Sequence, residues 1–503
     1  MTTAAERPAL DLASVFPFEA TYAALPERFH ARVDPTPVRA PELLDLNAPL
    51  ARELGLDPEA LRTPEAMAVL AGNRVPPTAT PIAQAYAGHQ FGNYVPQLGD
   101  GRAVLLGELI DTHGRRRDVQ LKGSGITPFS RMGDGRADLF PVIGEHLASE
   151  GMAGLGIPTS RSLAIAWTGE SVVRETAKPG GVLTRVAGSH LRVGTFEYFA
   201  RQGDTDAVKT LADYAIGRHD PDLRDSDAPY KGLLERVTQR TADLIAQWML
   251  VGFIHGVLNT DNIAISGETI DYGPFAWMDE YHPQRCFSQV DAWGRYAFDQ
   301  QPDIGLWNLC RFAETLLPLM GDDEERAKAE VYEVLHTYMP RFEAVFHAGL
   351  RRKLGLHEAH EGDIKLAQDL LYHMAEQRAD FTLTFRRLSE LSRDDESGDD
   401  AVRRLFADPS AFDGWVQAWR ARLAAEDSDD DTRRAAMRAV NPAYVLRKHH
   451  VYQAHRAACD GDLQPLTDLL TVLRQPYADH PELAGYSQPP AADEAVRRTF
   501  CGT

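Results

Sequence analysis

Residues 255–273, HGVLNTDNIAISGETIDYG, constrain the chain more than any other stretch. Asn262 and Asp271 are separated by IAISGETI, two short runs of apolar or β-branched residues around Ser-Gly-Glu. That pattern predicts a hairpin, which brings its two ends together. A hard cation such as Mg²⁺ favours a few oxygen ligands completed by phosphate oxygens, so an amide and a carboxylate meeting there suit a metal-bound nucleotide. Taken alone, Asp-Asn reads equally well as a turn and Asp271 as a strand-end residue, because short motifs specify a site loosely. Immediately upstream, Leu234, Val237, Leu244, Trp248 and Val251 mark one face of a long amphipathic helix that runs into the motif.

A chain of 503 residues exceeds one ordinary core and predicts about three units of roughly 150 residues. Residues 1–95 mix Pro-rich turns with short apolar runs and read as an extension wrapping the core. Residues 96–195 carry short apolar runs between Gly- and Asp-rich turns (AVLLGEL, DVQLKG), then a helix with Leu139, Ile143 and Leu147 at helical spacing, then two further strands (SLAIAWTG, GVLTRVAG). Residues 196–350 hold the long helix and the motif, and 351–503 read as a helical region. The acidic tracts RDDESGDD and EDSDDD are expected to be solvated connectors. With 53 basic against 73 acidic residues, the net charge of −20 disfavours nucleic acid and anionic membranes as partners, while leaving room for a local basic pocket. The absence of a long apolar run predicts no membrane span. The N-terminus has neither a basic start with an apolar core nor a transit-peptide composition, which predicts a cytoplasmic protein. Four scattered cysteines, Cys286, Cys310, Cys459 and Cys501, fit no disulfide framework and no paired-Cys zinc site. Cys501, three residues from the end in TFCGT, has little reason to be buried. No feature of the sequence bears on oligomeric state.

Strands, helix, strands, long helix and polar loop follow the order of a protein kinase. Lys122, on a strand, and Glu145, on the following helix, stand where a kinase pairs its phosphate-binding Lys with a Glu. Gly99 and Gly101 around Asp100 form a turn whose backbone can approach phosphate, and SRMGDGRADLF adds a second Gly-rich turn. Arg185 and Arg192, flanking VAGSHL, add guanidinium forks suited to phosphate oxygens. His255 and Asn262 have the separation of the kinase catalytic loop, but Val257 occupies the position of its catalytic Asp, and Asp261 lies beside the Asn instead. Three readings stand: a nucleotidyltransferase, a conventional phosphotransferase, which the missing base disfavours, and a binding-only pseudokinase, which the retained Asp261, Asn262 and Asp271 disfavour.

The ordered motifs QLGDGR, QLKGSGxTPFSRxGDGRA, TRVAxSHLRVGTFE and HGVLNTDNxxxxGxTIDYGPFxWMDEY resemble the selenoprotein O family, over roughly residue 15 to the C-terminus. The resemblance implies an α+β, bilobal kinase-like (pseudokinase) fold that binds ATP in the flipped orientation. It further implies transfer of AMP from ATP to Ser, Thr or Tyr hydroxyls of protein substrates with release of pyrophosphate, transfer of UMP from UTP being the variant left open, with Mg²⁺ or Mn²⁺ as the ion. Carried onto this chain, it makes Asp261 the proton acceptor and Asn262 and Asp271 the metal ligands. Lys122, Arg185 and Arg192 hold the outer phosphates, Glu145 orients Lys122, and Gly99, Gly101, Arg102, Asp134 and Gly135 complete the nucleotide pocket. It also implies a redox link between Cys501 and Cys286 that tethers the tail to the segment after Asp271.

Overall fold

The computed structural model describes residues 10–499, and Cys501 lies outside them. Short strands with turn residues between them assemble into one antiparallel sheet. Its strands are β1 (His30–Arg32), β2 (Glu42–Leu46), β3 (Ile82–Gln84), β6 (Ala103–Ile110), β7 (Arg116–Lys122), β9 (Arg161–Val173) and β10 (Ala177–Ala187), in the order β1-β3-β6-β7-β10-β9-β2. β8 (Ala137–Asp138) pairs with β10 at Gly180 and Gly181, beyond the last β7 partner, Leu183. A separate hairpin, β4 (Gly88–Gln90) and β5 (Asn93–Val95), follows β3. The stretch before residue 95, expected to wrap the core, therefore also supplies three strands of the main sheet.

Because side chains alternate along a strand, each strand feeds two cores. Leu105, Ile165 and Leu183 enter the large core shared with the helices, whereas Leu106, Leu163, Val182 and Val186 enter a second core closed by Leu50, Leu61, Val69 and Leu70 of the N-terminal segment. The helix Leu139–Gly154 covers the inner face, started by Asp138, whose side chain accepts from the Phe140 amide. Leu139, Ile143 and Leu147 are fully buried on it. The C-terminal helices Lys448–Cys459 and Gln464–Arg474 dock against its Gly144, Gly151 and Gly154; a Cβ at Gly154 would come within 2.0 Å of the Leu473 carbonyl oxygen. These C-terminal helices thus hold the helix that carries Glu145.

The helix Pro229–Leu250 buries Leu234, Val237, Leu244 and Trp248 and delivers the chain, through β11 (Phe253–Ile254), to the polar loop. β12 (Ala276–Trp277) pairs with β11 and closes the loop at its base. Beyond residue 300 the chain is helical. The acidic tracts are mostly exposed connectors between helices, as expected, with two exceptions: Asp399 and Glu426 are buried, and Asp399 receives both outer nitrogens of Arg420 at 2.6 and 2.8 Å; Asp429 caps the helix Asp430–Arg438. Arginines elsewhere in the helical region draw these carboxylates inward, which a local charge count cannot register. Among the described residues, no helix is long and apolar enough to cross a membrane.

Candidate active site

The segment between Asn262 and Asp271 is closed by a single bridge, Ile263 to Thr269, around a turn at Gly267, whose φ is +76°. Thr269 is fixed from three sides: its hydroxyl accepts from Trp248 Nε1 at 2.9 Å, its amide donates to the Pro158 carbonyl at 2.9 Å, and its carbonyl accepts from the Ser160 amide at 2.9 Å. His255, fully buried, reaches the Ile270 carbonyl through Nε2 at 2.9 Å. Asp271 itself adopts a left-handed backbone, φ +59°, a conformation uncommon outside glycine but tolerated best by Asn and Asp.

This geometry makes the Asp271 carboxylate the centre of a charge cluster. Arg185 Nη2 donates to Oδ1 at 2.8 Å, Arg192 Nη1 donates to Oδ2, and Lys122 Nζ stands 3.7 Å from Oδ1. Glu145 lies behind them, accepting from Lys122 Nζ at 2.5 Å and from Arg185 Nε at 2.7 Å. Burial alone would raise the pKa of Asp271, but Arg192, Arg185 and Lys122 together hold it well below the usual carboxylate range. Burial lowers the pKa of Lys122, against the opposing pull of Glu145. Arg102 lies near enough to act on the Lys122 charge in the same direction as burial. Three cations against two carboxylates leave the cluster one positive charge in excess, as a site for phosphate requires.

Arg192 links the cluster to the loop, because its Nη1 also donates to the Asp261 carbonyl at 2.7 Å, while its guanidinium lies 4.8 Å from the Tyr86 ring centroid. The Asp261 side chain is 7% exposed; Oδ2 is 3.5 Å from Gln90 Nε2, and Oδ1 has no hydrogen-bond partner. Burial pushes its pKa up to about 7, against the opposing charge of Arg192. Asn262 donates its amide to the Val257 carbonyl at 2.8 Å, and Val257 is buried.

The glycines of the first Gly-rich turn are sterically required. Gly99, with φ +67°, packs on the Phe129 ring, where a Cβ would come within 2.3 Å, and a Cβ at Gly101 would come within 2.9 Å of the Phe129 carbonyl. Gly135 packs against the Gly125 carbonyl in the same left-handed conformation. Asp134 pairs with Arg174 at 2.7 and 3.1 Å and is half exposed, so its carboxylate is committed to that arginine. Sequence reasoning missed Asp100, whose Oδ2 accepts from the Gln84 amide and Gln120 Nε2 and whose pKa burial pushes up to about 6. It also missed β4, which lies against Asp261: a Cβ on Gly88 would fall 2.3 Å from Asp261 Oδ1. A three-residue strand has too little alternation to be read from pattern; the only local hint is the polar run GHQ between apolar neighbours.

Cys286 is half-buried and donates to Asp291 Oδ2 at 3.3 Å; burial, then Asp291, pushes its thiol up to about 12. The last described residue, Thr499, docks two residues further along the same segment. Thr499 pairs with Ser288, its amide donates to the Phe287 carbonyl at 2.7 Å, and its hydroxyl donates to the Pro274 carbonyl at 2.8 Å.

The sequence profile of the family described as protein adenylyltransferase SelO matches residues 13–474. A protein nucleotidyltransferase YdiU of Rhodopseudomonas palustris (strain BisB18) is 58% identical over 489 residues, covering 97% of this chain and 99% of the relative. The protein of the same name from Alkalilimnicola ehrlichii is 58% identical over 490 residues, with the same coverage, and that from Methylorubrum extorquens (strain PA1) is 55% identical over 498 residues, covering 98% of this chain and all of the relative. The chain therefore belongs to the SelO family of protein adenylyltransferases, enzymes on a kinase-like α+β fold.

Proposed function

We propose that this enzyme transfers AMP from ATP to a protein hydroxyl, with the triphosphate entering in the orientation opposite to that in a kinase. The observation that carries the reading is Asp261: a buried carboxylate with an unpartnered oxygen and a raised proton affinity, beside a loop in which Val257 fills the kinase base position. The outer phosphates meet Lys122, Arg185 and Arg192, with Arg102, Asp134 and the turns at Gly99, Gly101 and Gly135 around them. Arg185 and Arg192, paired with Asp271 in the free protein, exchange that carboxylate for phosphate oxygens. Asp261 accepts the proton of the attacking hydroxyl. The oxygen so freed bonds to the α-phosphorus, the bond between that phosphorus and its β-bridging oxygen breaks, and pyrophosphate leaves.

Asn262 and Asp271 would hold Mg²⁺ or Mn²⁺. The donor set fits: the Asn262 amide nitrogen is committed to Val257, which leaves its oxygen as the ligand atom, and Asp271 supplies an ionised carboxylate. Among the described residues no group of three His, Cys, Asp or Glu gathers as a self-sufficient metal site, which suits an ion completed by phosphate oxygens. When bound, the ion offsets phosphate charge. UTP would satisfy the same phosphate contacts and is the alternative donor. Ser, Thr and Tyr side chains of cytoplasmic proteins are the acceptors.

Asp261→Asn tests the reading. The variant is expected to bind nucleotide with near-native affinity and to lose pyrophosphate release by about 10²-fold or more; native rates in the variant would remove Asp261 from the chemistry. The tail supports a second, regulatory element of the same reading. Thr499 docks beside Cys286, so two-electron oxidation of the Cys286 and Cys501 thiols by a disulfide donor would lock tail to segment and restrict acceptor access. Cys501→Ser should abolish any difference in activity between oxidised and reduced enzyme.

A further inference from the structure

We infer that His89, Glu197 and Thr260 form a clamp that seats β4 against Asp261 and so positions the base of the transfer reaction. The inference rests on the reading of Asp261 as proton acceptor. The three residues close a hydrogen-bonded ring: the His89 amide donates to Thr260 Oγ1 at 2.7 Å, the Thr260 hydroxyl donates to Glu197 Oε2 at 2.5 Å, and Glu197 Oε1 lies 2.5 Å from His89 Nδ1. All three side chains are buried, with Glu197 3% and His89 6% exposed. The His89 ring is held edge-on to Trp307 with centroids 5.3 Å apart and lies 5.2 Å from the Tyr94 ring.

Burying a carboxylate is unfavourable, and a polar network retained in a core is rigid when every member is satisfied. What this one makes rigid is the junction between β4 and the catalytic loop. Thr260 directly precedes Asp261, and His89 directly follows Gly88, the residue that abuts the Asp261 carboxylate. A second pin lies two residues on, where the Phe91 amide donates to Asn259 Oδ1 at 3.2 Å and to the Tyr296 hydroxyl at 3.1 Å. β4 therefore cannot slide along the loop. With Arg192 holding the Asp261 carbonyl from the other side, the carboxylate is left with one orientation, Oδ1 unpartnered. His89, Glu197 and Thr260 act through Asp261 and are positioning residues.

The test uses the full-length enzyme, ATP and Mg²⁺ or Mn²⁺, reading pyrophosphate release at saturating ATP, the KM for ATP and the melting temperature. Thr260→Val breaks the ring at both of its Thr260 bonds, Thr260→Ser preserves both, and Glu197→Gln keeps the shape while removing the acceptor carboxylate. The expected result is a kcat about tenfold or more lower in Thr260→Val and Glu197→Gln, with KM for ATP unchanged, and recovery to within about threefold in Thr260→Ser. If kcat stays within about twofold of native in both disrupting variants while Asp261→Asn is inactive, the clamp is refuted and the base assignment stands. Should Asp261→Asn remain active, the base assignment itself falls. Equal loss in Thr260→Ser and Thr260→Val, tracking melting temperature, would assign the ring to folding alone; if Thr260→Val does not fold, Glu197→Gln against native decides.

Discussion

Gly88→Ala places one methyl group against the proposed base. The Gly88 backbone is not left-handed, so alanine meets no conformational penalty there, and the whole effect comes from the new Cβ. That atom would lie 2.3 Å from Asp261 Oδ1, 2.8 Å from Cγ and 2.9 Å from Cβ, whereas ordinary contact begins near 3.4 Å. The carboxylate must move by roughly 1 Å, and rotation about χ1 gives incomplete relief because the Asp261 Cβ is crowded too. A displacement of that size in a reacting group costs about 10²-fold in rate, or about 2.7 kcal/mol in the barrier, while overpacking a core costs roughly 1–3 kcal/mol of stability. The assay is pyrophosphate release from ATP at saturating donor, with nucleotide affinity and thermal melting measured on the same preparation. The expected outcome is a kcat about two orders of magnitude lower, nucleotide affinity near native and a folded protein at assay temperature. A folded Gly88→Ala enzyme with kcat within about threefold of native would refute the argument that Asp261 must sit where the structure holds it.

Glu145→Gln leaves Lys122, Arg185 and Arg192 facing Asp271 alone in a buried site. Denaturant unfolding should show a loss of about 3–5 kcal/mol, and a loss below about 1 kcal/mol would mean that Glu145 does not balance the cluster. Asp118 is buried, yet Arg218 and His190 hold its pKa down to about 2, below the ordinary 3.8. A depressed carboxylate stabilises the fold above its unfolded pKa and loses that contribution as pH falls from about 4 to about 2, worth roughly 2 kcal/mol here. Asp118→Asn should therefore be less stable at neutral pH and flatter between those values; a native acid limb in the variant contradicts the assignment. Gly154→Ala drives a Cβ toward the Leu473 carbonyl and should destabilise by about 1–3 kcal/mol, read as a lower melting temperature, whereas a neutral effect would show that the C-terminal helices are free to shift.

The parts of the site readable in the sequence are those that local spacing encodes. Lys122 ends a strand with clear apolar alternation, Glu145 lies on a helix with an apolar stripe, and eight residues around a Gly turn separate Asn262 from Asp271. The convergence of Arg185 and Arg192 on one carboxylate was not readable from distance along the chain. It depends on β10 lying beside β7 and on Asp271 taking a left-handed backbone. β1, β3 and β4 escaped notice because three residues give no periodicity, and Pro-rich turns adjoin β1 and β3. Glycine is a weak helix former, and no local pattern explains the glycines of the Glu145 helix; their use is the docking of helices more than 300 residues later. The His89–Glu197–Thr260 ring joins three distant segments for the same reason, so no motif contains it.

The central claim is that the α-phosphorus, not the γ-phosphorus, is the electrophile. The direct measurement is parallel incubation of the enzyme and its protein acceptor with α-labelled and γ-labelled ATP in the presence of Mg²⁺ or Mn²⁺, followed by quantifying label retained on protein. Label from the α position alone, absent in Asp271→Ala, is the predicted result. Label from the γ position would contradict the account, because it would require a phosphoryl acceptor activated at a loop where Val257 stands in place of the base.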